Sequence, residues 1–301
     1  MIGKSVAKSS RHWKTVKISG HTKPYAVLGH PIGHTLSPVM HNAAFQALGM
    51  DAIYLAFDVH PDRLMSVLPA MADMGFGGVN LTVPLKEVAL RGLAKLDESA
   101  QLLGAVNTVQ FLAGEMIGHN TDGEGFLRAF EEAFGASIAG QSVFVLGTGG
   151  AGRAVALSCA GAGVKTISVA DLDAVRAKKL AMELETRYFI QDCAAVTEGA
   201  SIAAAARSAD VVIHATPVGM KPEDASPLRP EAFRKGQRAF DLIYMYPETA
   251  FMKAARQGGA ETANGLGMLL HQGAEAFELW TGVNPPVDVM RKALEKEVYG
   301  V

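Results

Sequence analysis

The chain has 301 residues, and its 28 Lys and Arg nearly balance 30 Asp and Glu, leaving a formal net charge of −2. That length accommodates two domains, each able to bury its own core. The near-neutral balance gives no sign of the basic domain that nucleic-acid binding requires, and no uninterrupted apolar run reaches the length of a membrane span.

The two cysteines, Cys159 and Cys193, have no metal-ligand spacing and read as reduced thiols; with no secretory leader in view, a cytoplasmic protein is expected. Residues 1–23 are basic through Lys4, Lys8, Arg11, Lys14, Lys17 and Lys23, with no acid before Asp51. They lack the Arg-rich amphipathic pattern of a transit peptide and read as an extension ahead of the first strand.

In chain order, Tyr25–Gly29 is predicted as a strand. Ser37-Pro38 then opens a helix, with Ser37 as N-cap and Val39, Ala43, Ala44 and Ala47 at helical spacing up to Gly49. A β-rich run covers Ala52–Asp58, a helix follows over Arg63–Met74, and a short strand over Gly78–Thr82. This alternation predicts a mostly parallel sheet. A second unit starts near Asp122, with a helix over Gly125–Phe134. Strands follow at Ser142–Leu146, Lys165–Ala170, Asp210–Ala215 and Ala239–Ile243, with helices at Ala151–Ala162 and Ala174–Thr186. That rhythm is a doubly wound, Rossmann-type domain. Two closing helices, around Met268–Leu279 and Val289–Val298, are expected to return to the first unit. The expected architecture is therefore α/β, with residues 1–121 and 266–301 as one domain and 122–265 as the other.

The most specific single motif is Gly147-Thr148-Gly149-Gly150-Ala151-Gly152, in which Gly147, Gly149 and Gly152 satisfy G-x-G-x-x-G between a strand and a helix. The first glycine turns the chain, the second lets backbone approach a pyrophosphate, and the third lets helix and strand pack closely. The free N–H groups and dipole of the helix start favour an anion there. Asp171 ends the next strand, where a carboxylate accepts from the adenosine ribose hydroxyls. A 2′-phosphate beside that charge costs on the order of 4 kcal/mol per unit pair at about 4 Å before screening. The expected cofactor is therefore NAD, with NADP as the alternative if Arg176 reaches a phosphate.

Polar residues gather at predicted strand ends in the first unit: Asn80-Leu81-Thr82-Val83-Pro84-Leu85-Lys86, Gly104-Ala105-Val106-Asn107-Thr108 and Asn120-Thr121-Asp122-Gly123. Such clusters, joined by Gly and Pro, suit a small-molecule cleft. A Lys86–Asp122 pair suits alcohol oxidation, since an ammonium held by a carboxylate donates to a carbonyl as hydride arrives. Each segment alone is also compatible with a solvated lysine or an ordinary turn.

Together these segments resemble the shikimate dehydrogenase family. The likeness runs from Tyr25 to the C-terminal helices through His34-Thr35-Leu36-Ser37-Pro38, the three segments above, the glycine loop, Ala215-Thr216-Pro217-Val218-Gly219, and Gly265-Leu266-Gly267-Met268-Leu269 with Gln272. The resemblance implies Lys86 as general acid/base with Asp122 as its partner, and Thr35 and Ser37 on the substrate carboxylate. Thr82, Asn107, Tyr244 and Gln272 would complete the hydroxyl-binding shell. Thr216, Leu242 and Gly265 would line the nicotinamide end, beside Gly147, Thr148, Gly149, Gly150, Ala151 and Gly152 on the pyrophosphate.

Two departures bear on specificity. Thr35 stands where the family most often has Ser, which adds a methyl at the end where quinate and shikimate differ; a quinate-preferring member is the alternative. Ala170-Asp171-Leu172-Asp173 replaces the Asn-Arg-Thr type loop of NADP-specific members and resembles the NAD-using quinate/shikimate branch. A non-catalytic NAD- and polyol-sensing module is the reading from another class, and the paired Lys86 and Asp122 argue against it. His30, His34, His41 and His271 fall near the expected site without metal-ligand spacing, so no metal is expected. Monomer and homodimer remain equally open.

Overall fold

The computed structural model describes residues 18–188, 190 and 193–300, so most of the basic extension lies outside the described residues. Its order is β1 (Lys23–Gly29), α1 (Ser37–Ala47), β2 (Ala52–Asp58), α2 (Leu64–Asp73), β3 (Gly78–Leu81), α3 (Lys86–Gly92), β4 (Lys95–Leu96), α4 (Glu98–Leu103), β5 (Thr108–Leu112) and β6 (Glu115–His119). It continues with α5 (Asp122–Phe134), β7 (Ser142–Leu146), α6 (Gly150–Gly161), β8 (Thr166–Ala170), α7 (Ala174–Tyr188), β9 (Cys193–Val196), α8 (Gly199–Ser208), β10 (Val211–His214), β11 (Arg238–Asp241), α9 (Ala250–Gln257), β12 (Glu261–Ala263), α10 (Leu266–Thr281) and α11 (Val287–Tyr299). Cys159 and Cys193 are both free.

The strands form two six-stranded sheets. The second has the order β12-β11-β10-β7-β8-β9, with every neighbouring pair parallel. Its central strands are apolar on both faces because helices cover both, as parallel sheets require. Phe126, Val145, Val155, Ile167 and Ile213 belong to one buried layer, and Phe144, Val212, Phe233 and Phe251 to the other. The chain reverses direction of winding between β7 and β10, so their carboxyl ends frame the crevice where ligands bind in such sheets.

The first sheet, β2-β1-β3-β5-β6-β4, is mostly parallel, as expected. β1 pairs parallel with β2 and β3, and β4 with β6; β5 alone runs against its neighbours β3 and β6. The cause is a tight hairpin: Ala113 and Gly114 both take positive φ, 50° and 82°, the signature of the two-residue turns that join antiparallel strands. One face of this sheet is covered by α2, α3 and α4 through Leu64, Leu68, Ala89 and Ala100. The other is covered by α1, α10 and α11, with Tyr25, Phe45 and Tyr54 packed on Leu270, Phe277, Met290 and Leu294.

Two local readings are corrected. Ser37 is the first residue of α1 rather than its N-cap; Leu36 occupies the cap and no side chain bonds to it. α5 begins at Asp122, three residues before the predicted start, with Asp122 and Glu124 in its first turn, where carboxylates interact favourably with the helix dipole.

α10 lies along α5, and Glu275 of α10 has a buried Oε2 without a partner among the described residues. Burial, and secondarily the charge of Glu124, push its pKa up to about 7. The protonated form is therefore favoured in the folded state. As pH rises from about 4.5 toward 7 the unfolded chain releases this proton while the folded chain holds it, so this group removes stability across that window. Discounted for partial exposure, the loss is about 1–2 kcal/mol. Glu275→Gln is expected to raise the urea midpoint at pH 7.5 and leave it unchanged at pH 4; equal effects at both pH values would refute the assignment.

Candidate active site

Three strand ends of the first sheet and two helix starts converge on one cleft of about 210 Å³. Lys86 enters it from the first turn of α3 and Asp122 from the first turn of α5, with Lys86 Nζ donating to Asp122 Oδ2 at 2.6 Å. Their side chains are 26% and 11% exposed, shielded enough for the pair to be ordered yet open to a small molecule. Asn107 fixes the carboxylate: its Nδ2 donates to Asp122 Oδ1 at 2.9 Å and reaches Gln272 Oε1 at 3.4 Å. Its Oδ1 accepts from the Thr121 backbone N–H at 2.8 Å. Asp122 N–H is in turn held by Asn120 Oδ1, and Asn120 Nδ2 donates to Ala105 O. The three polar segments therefore form one bonded shell around a single carboxylate.

All eight residues predicted to hold substrate line this cleft: Thr35, Ser37, Thr82, Lys86, Asn107, Asp122, Tyr244 and Gln272. Free of capping, the Ser37 hydroxyl lies 3.4 Å from Thr35 Oγ1, so two hydroxyls meet beside the start of α1. Burial raises the Tyr244 phenol pKa, keeping it a neutral donor. Asn80 also lines the cleft and was missed as a site residue. It accepts from Tyr54 Oη at 2.5 Å and donates to Thr108 Oγ1 at 2.9 Å; an amide inside an otherwise apolar buried strand was the available signal. Of the four nearby histidines only His34 reaches the cleft. His30 pairs with Asp58 and His271 with Glu132. His41 stacks on Tyr54 in the core, where burial lowers its pKa to about 3.

The residues predicted to hold cofactor divide among three places. Ala151, Leu242 and Gly265 line the same cleft from the second sheet. Thr148, Gly149, Gly150 and Arg176 line an adjoining cavity of about 560 Å³ with Arg91, Arg153 and Lys179. Gly147, Gly152, Asp171 and Thr216 line neither; Asp171 bonds Thr148 beneath the loop, and the half-buried Thr216 stands beside Gly147 just past the end of β10. Gly147 has φ +101°, and a Cβ on Gly152 would stand 1.9 Å from Gly147 O. By contrast a Cβ on Gly149 or Gly150 meets nothing within 4 Å. The loop is packed tight underneath and faces open space above, and the N-cap of α6 carries no side-chain bond. This is the form a dinucleotide pyrophosphate fits.

Asp171 differs in detail from the expectation. Its Oδ2 accepts from the Thr148 N–H at 2.7 Å and hydroxyl at 2.8 Å, and its Oδ1 from the Asp173 N–H. Burial works to raise its pKa, but these bonds and the Arg176 charge outweigh it and hold the carboxyl below its ordinary value. It is a fixed anion that braces the glycine loop. Arg176 lies 3.9 Å from Asp171 and 3.5 Å from Asp173, with its side chain 54% exposed. Among the described residues no group of three or more His, Cys, Asp or Glu side chains is placed to hold a metal, and no helix is long and apolar enough to cross a membrane.

Residues 27–109 match the family model of the shikimate dehydrogenase substrate binding domain, and residues 265–295 that of the shikimate 5′-dehydrogenase C-terminal domain. The chain is 44% identical to the shikimate dehydrogenase (NADP(+)) of Methanopyrus kandleri over 282 residues, covering 93% of this chain and 97% of that one. Among solved structures, shikimate 5-dehydrogenase of Listeria monocytogenes, in complex with shikimate and NAD, superposes with a TM-score of 0.85 at 36% identity, covering 93% of this chain and 99% of that one. The Thermus thermophilus enzyme, in complex with NADP(H) and shikimate, gives 0.81 at 40% identity, covering 91% and 99%. With the Lys86–Asp122–Asn107 shell in the inner cleft and the glycine loop on the cavity beside it, these likenesses place the chain in the shikimate dehydrogenase family of nicotinamide-dependent oxidoreductases.

Proposed function

We propose that the chain interconverts shikimate and 3-dehydroshikimate, with residues 1–121 and 266–301 holding the acid and 122–265 the dinucleotide. The observation that carries this reading is the 2.6 Å contact between Lys86 Nζ and Asp122 Oδ2 in a cleft walled on the far side by Ala151, Leu242 and Gly265. A dinucleotide held by the glycine loop, with Ala151, Leu242 and Gly265 at its nicotinamide end, would supply the hydride acceptor or donor for the ring carbon. In oxidation the Lys86 amine accepts the hydroxyl proton, and in reduction its ammonium donates a proton to the carbonyl oxygen, so charge balances in both directions. Asp122 and Asn107 hold Lys86 and the neighbouring ring hydroxyls in line, which supplies positioning rather than proton transfer. Thr35 and Ser37 bond the carboxylate.

NAD is the proposed cofactor. The support is the fixed anion at Asp171, followed by Leu172, which is fully exposed and offers a 2′-phosphate no charge. NADP is the second reading, favoured by Arg176 and Lys179 on the outer cavity and by the NADP(+) in the name of the Methanopyrus kandleri relative. The test is initial-rate oxidation of shikimate and of quinate with each dinucleotide, followed by absorbance of the reduced nicotinamide. Shikimate with NAD is expected to give the highest kcat/KM. A higher value for quinate, or for NADP, replaces the corresponding half of the proposal, and no turnover in all four pairings rejects the activity. Asp171→Asn is expected to narrow the NAD-over-NADP ratio by about tenfold through loss of the like-charge repulsion; an unchanged ratio would remove Asp171 from cofactor choice.

A further inference from the structure

β10 and β11 run side by side with His214 in register with Asp241, and parallel neighbours in register project their side chains to the same face. Both are fully buried, and His214 Nδ1 lies 2.9 Å from Asp241 Oδ1. The carboxylate has two further donors: the Ile243 N–H to Oδ1 at 3.0 Å, and the Thr249 hydroxyl to Oδ2 at 2.6 Å. Thr249 is itself the N-cap of α9. The ring of His214 stacks on Phe251, so it has one available orientation. A carboxylate is an acceptor, so Nδ1 carries a proton. In the tautomer whose one proton sits on Nδ1, Nε2 is an acceptor, and Nε2 is 2.6 Å from Thr216 Oγ1. Thr216 Oγ1 also accepts from the Val218 N–H at 3.2 Å. Its methyl carbon stands 2.9 Å from where a Cβ on Gly147 would be, at the crevice between β10 and β7.

We propose that His214, held by Asp241, is a positioning residue that turns the Thr216 hydroxyl proton away from the crevice and leaves an oxygen lone pair facing it. With its proton committed to Nε2 and one lone pair to the Val218 N–H, the hydroxyl has a single remaining capacity, to accept. A nicotinamide carboxamide carries N–H donors, and a preset acceptor at the end of β10 selects its orientation without a hydroxyl rotor being frozen at binding. The same relay couples four chain segments, the glycine loop, β10, β11 and the start of α9, to one hydrogen-bonding group. This inference rests on the dinucleotide reading above but not on the identity of the substrate.

The test is dinucleotide affinity, read by reduced-nicotinamide fluorescence without substrate, alongside thermal unfolding. Thr216→Val deletes the hydroxyl while keeping the shape and is expected to weaken binding about three- to tenfold, the worth of one hydrogen bond. His214→Asn keeps a donor for Asp241 but cannot reach Thr216, and is expected to match that loss. His214→Gln, whose longer side chain presents an oxygen near the Nε2 position, is expected to recover most of the affinity. The His214→Asn/Thr216→Val pair is expected to bind no more weakly than Thr216→Val alone, because both remove one interaction. Equal affinity of Thr216→Val and the unaltered protein overturns the proposal even if the histidine variants fail to fold. So does an affinity loss in His214→Gln as large as in His214→Asn. Failure of the unaltered protein to bind either dinucleotide would reject the dinucleotide reading instead.

Discussion

Replacing Lys86 with Ala lowers kcat for shikimate oxidation by an expected 10²–10⁴-fold, roughly the contribution of a positioned acid–base group, while dinucleotide affinity stays within about twofold. The asymmetry follows from placement. Lys86 is the only Lys or Arg among the described residues lining the inner cleft, and it does not line the outer cavity. Removing Nζ also takes one partner from Asp122, which keeps its bond from Asn107. Asp122→Asn should therefore reduce kcat by a comparable amount, and the double variant should be little worse than either single one, since the two act as a unit. A near-wild-type kcat in Lys86→Ala, measured by stopped-flow and steady-state rates, would remove Lys86 from the chemistry.

Gly152→Ala is the second large effect. The added Cβ would lie 1.9 Å from Gly147 O, 2.9 Å from Gly147 C and 3.0 Å from the Ala215 Cβ. None of these belongs to a flexible side chain, so the strand-to-helix turn must move by more than about 1 Å to relieve the overlap. Overpacking of this kind costs about 1–3 kcal/mol, and the shift falls on the N–H groups that face the phosphates. The expected result is a lower urea midpoint together with a dinucleotide Kd at least about tenfold weaker. Gly149→Ala separates the two consequences. Its Cβ meets nothing within 4 Å, so the urea midpoint should hold while binding weakens, because the methyl occupies the space above the loop. An unchanged midpoint and Kd in Gly152→Ala would mean that the loop is neither tightly packed nor the phosphate site.

What could be read in the chain beforehand depended on whether the physics was local. The glycine loop and its flanking strand and helix are enforced within a few residues and were legible. So was the winding of the second sheet. The Lys86–Asp122 contact joins residues 36 positions apart, and no spacing rule reaches that far; only the order of motifs along the chain pointed to it. The hairpin of β5 and β6 was missed although Ala113-Gly114 between two strand-like runs is a local turn signal, and with it the mixed character of the first sheet. Ser37 looked like an N-cap because Ser before Pro usually is one, whereas here the helix start opens on a cleft and its hydroxyl faces Thr35. His214 and Asp241 each end an apolar strand, VVIH and RAFD. Their pairing becomes visible only when the two strands are laid in register.

The layer that joins β1, α1 and β2 to α10 and α11 sets an order on how the chain can be made. Tyr25, Phe45 and Tyr54 are covered in part by Leu266, Leu270, Phe277, Met290 and Leu294, residues translated more than two hundred positions later. The second sheet and its helices have all their strands by Ala263 and can close while the first sheet still shows one bare aromatic face to the ribosome surface and the solvent. Domains generally fold as units during synthesis, and exposed apolar faces recruit wrong partners. The interval between Tyr54 and Leu294 leaving the ribosome is thus the window in which that face stands open to wrong partners.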